Sequence, residues 1–358
     1  MKSADNLYVD VHVLQTVPPS CVNRDDTGSP KTAVYGGVTR ARVSSQSWKR
    51  AIRLYFRQLY RPEDLGLRTK RIVAMVENEL AALSPEAGER KRKLAADVLT
   101  AAGLKLKEKD LDKGTDALFF MSVAQAKALA ALALQPDAVK DKALCKAALS
   151  QTPSVDMALF GRMVADDPSL NYDAAAQVAH AISTHAVQNE FDYFTAVDDC
   201  APEDNAGAGH LGTVEFNSST LYRYACVNVN ELKEHLGDAA ALAVRRFVEA
   251  MVLSMPTGKQ NTFANRTLPD AVYVTLRRDQ PVNLAGAFER PVSAGESGGF
   301  LEGSQQRLAQ YAGQVYATFA EPPFLSFVTG EGLSALGPSM RLDALLEALE
   351  AAVSQGVQ

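Results

Sequence analysis

Eight cationic side chains lie within one stretch of this sequence, between Lys31 and Pro62. They are Lys31, Arg40, Arg42, Lys49, Arg50, Arg53, Arg57 and Arg61. From Thr27 through Pro62 there is no Asp or Glu, although the whole protein carries a net charge of -5. Cations without neighbouring acids attract a phosphate backbone. The stretch therefore predicts a phosphate-binding surface, with a solvated basic helix face as the alternative.

The order of residues within this stretch predicts a turn, a strand and then a helix. Gly36 and Gly37 indicate the turn, Val38 to Val43 alternates as a strand, and Ser44-Ser45 supplies a helix N-cap. The helix is expected from about Gln46 to Tyr60, with Lys49, Arg53 and Arg57 on one face. Serine hydroxyls, the Gln46 amide and unpaired backbone N–H groups would meet at the helix start. Such a start is suited to binding an anion.

Catalytic chemistry has weaker support in the sequence. Asp25-Asp26 and Asp198-Asp199 are paired acids that could bind Mg²⁺ in a nuclease, but adjacent acids in loops are more often turn residues. His180 and His185 are five residues apart, which does not place two metal ligands on one helix face. The P-loop, GxGxxG and GxSxG motifs are absent from the sequence. Each histidine is better explained by a structural hydrogen bond.

The composition is that of a globular protein of one to three domains. The 358 residues are 47% hydrophobic and 22% charged, and the four cysteines form no CxxC pair. This cysteine usage suits a reducing cytosol. Neither a signal peptide nor an apolar run of ~18 residues is evident, so we expect no membrane span and a cytoplasmic location.

The remaining pattern predicts an α+β protein with a helical insertion between the parts of a sheet domain. Strands are expected at Asn6–Gln15, Thr220–Val229 and Ala271–Arg278, and a hairpin at Asn189–Asn217. Helices are expected at Lys70–Leu83, Ala87–Leu104, Val123–Leu134, Ala174–Val187, Ala239–Met255, Gln305–Phe319 and Leu342–Val353. The core order of strand, helix, strand, helix and strand favours a ferredoxin-like or RRM-like arrangement, whose sheet binds RNA in many modules.

Aromatic residues open the predicted hairpin. Phe191, Tyr193 and Phe194 are expected to include at least one core residue, but a hairpin has two faces. One of these rings could therefore stack on bases or wedge between them. Met163, which follows Gly161-Arg162, has the same two interpretations.

Several motifs in this order resemble the CasC-type backbone subunit of the type I-E CRISPR surveillance complex Cascade. They are SSQSWKRA at the start of the basic helix, VDMALFGRM, FTAVDD, HLGTVEF and MPTGKQNTF. The resemblance extends over nearly the full length and is weakest in the helical insertion. Trp48 departs from the smaller aliphatic residue expected after the SSQS cap.

The resemblance implies a right-hand architecture with an RRM-like palm, helical fingers and a β-hairpin thumb. By this likeness, the palm comprises residues 1–62, 152–188 and 218–358, the fingers residues 63–151, and the thumb residues 189–217. Several copies would polymerise along a CRISPR guide RNA, together with the large, small, 5′-handle-binding and 3′-hairpin-binding subunits. Target DNA would be recognised through base pairing with the guide. No cofactor, metal or enzymatic activity is implied.

The resemblance also assigns roles to individual residues. The guide backbone would be contacted by Arg24, Lys31, Ser44, Gln46, Lys49, Arg50 and Arg53, with Lys259 and Gln260 as further contacts. Arg42 of the basic stretch is a further candidate. Phe194 and Met163 would flank a displaced base, and His210 and Leu211 would belong to the thumb.

Two other functions are compatible with the sequence. A metal-dependent RNase would use Asp25 or Asp26, because distantly related type III backbone subunits cut RNA with an Asp in an early loop. A structural filament protein would assemble without RNA, and its assembly would be indifferent to salt and to charge reversal in the basic stretch.

Overall fold

Helices and strands both contribute substantially to the fold, as the α+β prediction requires. The computed structural model describes residues 6–107, 110–164, 167–196 and 211–356. The chain divides into two compact units. The sheet unit comprises Met1–Ile52, Val178–Cys226 and Val244–Gln358, and the helical unit comprises Arg53–Gln177 and Val227–Ala243.

The strands and helices are numbered in chain order. The strands are β1 (Tyr8–Ser20), β2 (Thr32–Tyr35), β3 (Val38–Val43), β4 (Gly66–Thr69), β5 (Phe119–Ser122), β6 (Ala176–Val178), β7 (Ala181–Ser183), β8 (Glu190–Thr195), β9 (Leu211–Asn228), β10 (Ala271–Arg277) and β11 (Leu325–Gly330). The helices are α1 (Ser45–Leu59), α2 (Ile72–Leu83), α3 (Lys91–Ala101), α4 (Val123–Ala133), α5 (Pro136–Lys140), α6 (Lys142–Ser150), α7 (Val155–Phe160), α8 (Val229–Leu236), α9 (Ala240–Leu253), α10 (Gln260–Phe263), α11 (Leu301–Thr318) and α12 (Leu342–Gly356).

The main sheet of the sheet unit follows the order β11-β10-β1-β9-β7-β3-β2. β1 runs antiparallel to β10, and β7 runs antiparallel to β9. Helix α1 lies in the chain between β1 and β7, and helix α9 lies between β9 and β10. In the central order β10-β1-β9-β7, one helical connection therefore runs from β1 through α1 to β7, and a second runs from β9 through α9 to β10.

Both faces of this sheet are covered by helices. On one face, Trp48 of α1 packs with Val43, Ala181 and Leu221, and the guanidinium of Arg223 lies 3.7 Å from the centre of its ring. The indole of Trp48 is therefore part of the core of the sheet unit. On the other face, tyrosines of β9 and β10 are buried with Leu308 of α11. Every residue of β10 is buried, so this strand offers no open face for bases, in contrast to the RRM-like use of the sheet.

The helical unit has a separate hydrophobic core. Helices α2, α3, α4 and α6 contribute Val76, Val98, Leu129 and Leu149 to it, all fully buried. Strands β4 and β5 pair antiparallel within the same unit. At the start of α4, Ser122 and Gln125 form a capping box, in which the side chain of each residue accepts a hydrogen bond from the backbone N–H of the other. The Ala- and Leu-rich part of the sequence thus forms helices α2 to α6.

One secondary-structure prediction was wrong. Ala174–Val187 was expected to form a helix, but its residues form the short strands β6 and β7. In β7, Ile182 pairs with Arg42 of β3 on one side and with Tyr222 of β9 on the other. Pairing with two neighbouring strands therefore overrides the helical preference of the alanines.

The other predicted strands and helices within the described residues are confirmed, with shifts of a few residues at their ends. β1 is longer than expected and ends at Ser20, while α11 begins earlier, at Leu301. None of the helices in the described ranges is long and apolar enough to cross a membrane.

Candidate nucleic-acid interface

The start of α1 is a cluster of hydrogen-bond donors in the sheet unit. The Ser44 carbonyl accepts the N–H groups of Ser47 and Trp48 at 3.0 and 3.2 Å, which begins the helix. The Ser44 side chain is buried, with its Oγ 3.4 Å from Ser47 Oγ, whereas Gln46 is exposed. The first turn holds no acidic residue. The positive end of the helix dipole is therefore not neutralised within its own turn.

Asn23 connects this helix start to the preceding loop. Its side-chain Oδ1 accepts the Ser44 N–H at 2.9 Å, and its backbone carbonyl accepts the Lys31 N–H at 2.8 Å. These two bonds hold Lys31 close to the start of α1. Sequence reasoning missed Asn23, because its role depends on a contact 21 residues along the chain.

Arg42 of β3 and His180 lie at the same helix start. Arg42 Nε donates to the Thr32 carbonyl at 3.1 Å, and its Nη1 lies 3.4 Å from His180 Nδ1. The Ser45 N–H donates to the same His180 nitrogen, also at 3.4 Å. Burial, followed by the charges of Arg42 and Lys31, holds the pKa of His180 below its usual value. A positive potential at this point favours an anion.

Lys259 and Arg24 both act electrostatically on Cys21, at the start of the same loop. A Cβ at Gly258 would come within 2.1 Å of the Val22 carbonyl oxygen, so the two backbones pack closely only because residue 258 is glycine. Burial raises the pKa of the Cys21 thiol, and the charges of Arg24 and Lys259 oppose that shift. The charges of Asp25 and Glu215 raise this pKa, as burial does, so charges of both signs act on Cys21. Gln260, the next residue, begins α10 and is half-buried.

Three other cations of the basic stretch have different environments. Arg50 is exposed on α1, and no hydrogen bond or ion pair joins it to any other described residue. Lys49 is half-buried on the preceding position of the same helix. Arg40 is fully buried, and its guanidinium donates to the carbonyls of Tyr35, Ser183, Phe288 and Glu289. The count of cations in the sequence therefore overstates the charge at the surface.

Arg53 is engaged within the helical unit. Its Nε donates to Asp156 Oδ2 at 2.8 Å, and its Nη2 donates to the Gly66 carbonyl at 3.2 Å. Its guanidinium also lies 4.5 Å from the centre of the Phe120 ring. The structure thus gives Arg53 a role in packing that the sequence did not indicate, and its contact with RNA stays a prediction.

The carboxylate of Asp25 is part of a tight turn. Its Oδ1 accepts the Thr27 hydroxyl at 2.7 Å and the N–H groups of Thr27 and Ser29 at 3.0 Å each. The Thr27 hydroxyl bond is the largest cause that lowers the pKa of Asp25. Within the described ranges, no three His, Cys, Asp or Glu side chains are grouped so that they could hold a metal ion. These contacts match the turn role that is usual for adjacent acids in a loop.

The predicted hairpin is formed by β8 and the first part of β9. Phe194 lies opposite Gly212, and a Cβ at Gly212 would come within 2.4 Å of the Phe194 ring. The ring therefore lies against the glycine backbone. All six residues of β8 are exposed, as is Leu211 at 57%. His210 falls outside the described residues.

Met163 belongs to the helical unit and is 86% exposed. It borders a cavity of about 310 Å³ together with Leu118, Phe119 and Val164. An unbranched apolar side chain with this exposure suits a contact with another molecule.

Comparison with known proteins identifies the family. A family model described as CT1975-like protein matches residues 9–354. This chain belongs to the CT1975-like family. Comparison with curated proteins finds no match.

Solved structures give the same result for this CT1975-like chain. A chain from a structure described as "CRISPR RNA-guided surveillance complex, pre-nicking" is 37% identical, with a TM-score of 0.84, and the match covers 97% of this chain and 100% of that chain. A chain from a second structure, "CRISPR RNA-guided surveillance complex", is 31% identical with a TM-score of 0.62, over 95% of this chain and 99% of that chain. The resemblance to CasC-type CRISPR backbone subunits is confirmed.

Proposed function

We propose that this CT1975-like chain is a non-catalytic backbone subunit that polymerises along CRISPR guide RNA in a type I-E surveillance complex. The observation that carries the proposal is the helix start free of acids, with Lys31 and Arg42 beside it. Full-length similarity to chains of CRISPR RNA-guided surveillance complexes supports a nucleic-acid partner of this kind.

The right-hand architecture is part of the proposal. The strand order β10-β1-β9-β7, with α1 and α9 as crossovers, fits a ferredoxin-like palm. The helical unit would contain the fingers, and the β8–β9 hairpin would be the thumb. Exposed aromatic residues on β8 supply surface on which bases can stack.

The proposed mechanism is electrostatic positioning of the guide. Donors at the α1 start and the nearby cations bind phosphates, which positions the strand without reading its sequence. The thumb would divide the guide into short ordered segments. Ordering the bases in advance reduces the entropy lost when the target DNA strand pairs with them. Further copies of the chain and the other Cascade subunits would complete the complex.

The turn role of Asp25 supports the non-catalytic form of this proposal. Its Oδ1 already accepts three hydrogen bonds from Thr27 and Ser29. A nuclease would need further carboxylate or histidine ligands beside Asp25, and no such group of three is present among the described residues.

Salt dependence of RNA binding tests the proposal. Binding of a fluorescent single-stranded RNA should weaken steeply with salt, with a slope of about -0.7 for each neutralised phosphate. Lys31→Ala/Arg50→Ala should reduce the magnitude of that slope by about 1.4, because two phosphate contacts are lost. Lys127 is an exposed lysine of α4 outside the candidate interface, so Lys127→Ala is the matched control.

Two results would contradict the proposal. One is RNA binding that is indifferent to salt. The other is an equal loss of slope in Lys127→Ala and in the double variant, because the cations at the α1 start would then have no special role.

A further inference from the structure

Two hydrogen-bond donors of the candidate interface converge on one atom, His180 Nδ1. The backbone N–H of Ser45 and the Nη1 of Arg42 each lie 3.4 Å from it. A backbone amide nitrogen and a guanidinium nitrogen cannot accept a hydrogen bond. His180 Nδ1 must therefore be the acceptor, without a proton, and the ring proton is on Nε2.

Two donors that point at one position are also suited to binding an anionic oxygen. One donor comes from the first turn of a helix and the other from a cation. Both contacts are longer than ordinary N–H hydrogen bonds, which are about 2.7–3.2 Å, so the neutral ring satisfies these donors weakly. A phosphate oxygen would bond to the same donors at about 2.7–2.9 Å because it carries charge.

Among the residues that the structure describes, the two charged groups that act on this ring are both cations. Arg42 reaches it from β3, and Lys31 reaches it from the residue that precedes β2. His180 itself is exposed and precedes β7 by one residue. The surroundings thus oppose a positive charge on the ring as long as no anion is present.

We propose that His180 satisfies the phosphate-binding donors while RNA is absent, and that a phosphate oxygen displaces the ring as the guide binds. The displaced imidazole then takes up one proton from solvent and becomes a further cation beside the phosphate. The inference rests on the proposed function and adds two features to it, the contribution of His180 and the uptake of one proton when RNA binds.

The direction of the pH dependence follows from this exchange. A phosphate beside the ring favours its charged form, so the pKa of His180 is higher in the RNA complex than in the free protein. RNA affinity then rises as the pH falls through the interval between the two pKa values. For one linked proton, the affinity changes by at most about tenfold per pH unit.

The test measures RNA affinity from about pH 8 to about pH 5.5, where a histidine titrates. His180→Asn keeps an acceptor in place of Nδ1 but cannot take up a proton. We expect the wild-type affinity to increase more than that of His180→Asn as the pH falls. His180→Gln, which cannot be protonated either, should also have the shallower slope. His235→Asn in the last turn of α8 is the matched control and should keep the wild-type slope.

The outcomes separate the two proposals. Equal pH slopes in wild-type protein and His180→Asn, with RNA bound by both, would overturn the role of His180 and leave the proposed function intact. Failure of the wild-type protein to bind RNA at low salt would overturn the proposed function and this inference with it.

Discussion

Arg40 is predicted to stabilise the sheet unit, although it lies within the stretch proposed to bind phosphate. Its guanidinium donates at 3.1 Å to Tyr35 O, 3.1 Å to Ser183 O, 2.8 Å to Phe288 O and 3.2 Å to Glu289 O. The residue is fully buried. Arg40→Ala would leave these four carbonyl oxygens without that donor.

The magnitude of the effect follows from these four bonds. Hydrogen bonds from a charged donor contribute about 1.5–3 kcal/mol each, so their sum is roughly 6–12 kcal/mol. Removing the guanidinium from water costs several kcal/mol, which offsets part of that sum. We expect Arg40→Ala to lower the free energy of unfolding by about 3–5 kcal/mol. Arg40→Lys should cause a smaller loss of about 1–3 kcal/mol, because an ammonium group lacks the planar fork of donors.

Urea unfolding followed by circular dichroism measures these differences. Arg50→Ala, which removes an exposed cation, should change the free energy of unfolding by less than about 0.5 kcal/mol. RNA affinity should show the reverse order: Arg50→Ala weakens binding, whereas folded Arg40→Lys binds RNA as the wild-type protein does. A loss below about 1 kcal/mol for Arg40→Ala would refute the reasoning.

Two further predictions follow from the hairpin and the buried sheet face. Gly212→Ala should push the Phe194 ring away and weaken RNA binding by about 1 kcal/mol, which is the contribution of one stacked base. Thr213→Ala is the control and should leave RNA binding unchanged. Equal effects of the two substitutions in an RNA-binding assay would contradict this prediction. Burial raises the pKa of Asp10 from its ordinary value of 3.8 to about 7. Between these two pH values the folded protein holds a proton on Asp10, whereas the unfolded chain does not. As the pH falls from 7 towards 4, the free energy of unfolding of the wild-type protein should therefore increase by about 1.4 kcal/mol per pH unit relative to that of Asp10→Asn. Urea unfolding measures this difference, and parallel pH profiles of the two proteins would contradict the prediction.

The parts of the structure that depend on local pattern could be predicted from the sequence. The alternation in Val38–Val43, the Ser44-Ser45 cap and the helical spacing after it correctly predicted β3 and α1. The hairpin followed in the same way from two strand patterns around a loop rich in glycine and aspartate. In each case the residues that decide the structure are near neighbours in the chain.

The tertiary contacts of individual side chains could not be predicted from local sequence patterns. Arg53 and Arg50 look alike in sequence, but Arg53 pairs with Asp156, which is 103 residues away. Arg40 finds carbonyl groups as distant as Glu289. His180 reaches the α1 start only because Ala174–Val187 forms strands rather than the expected helix. Charge and periodicity located the candidate interface, whereas tertiary pairing decided which cations reach it.

The central claim, that this chain binds guide RNA, is tested most directly by purifying the chain from cells and analysing any RNA that accompanies it. The chain would be co-expressed with a CRISPR array and the other expected subunits, then purified, and the RNA sized with and without Mg²⁺. The account predicts intact RNA of guide length, and its loss in Lys31→Glu/Arg50→Glu. An assembly that contains no RNA would contradict the account. RNA that is shortened only with Mg²⁺, and protected by Asp25→Ala, would instead identify a nuclease.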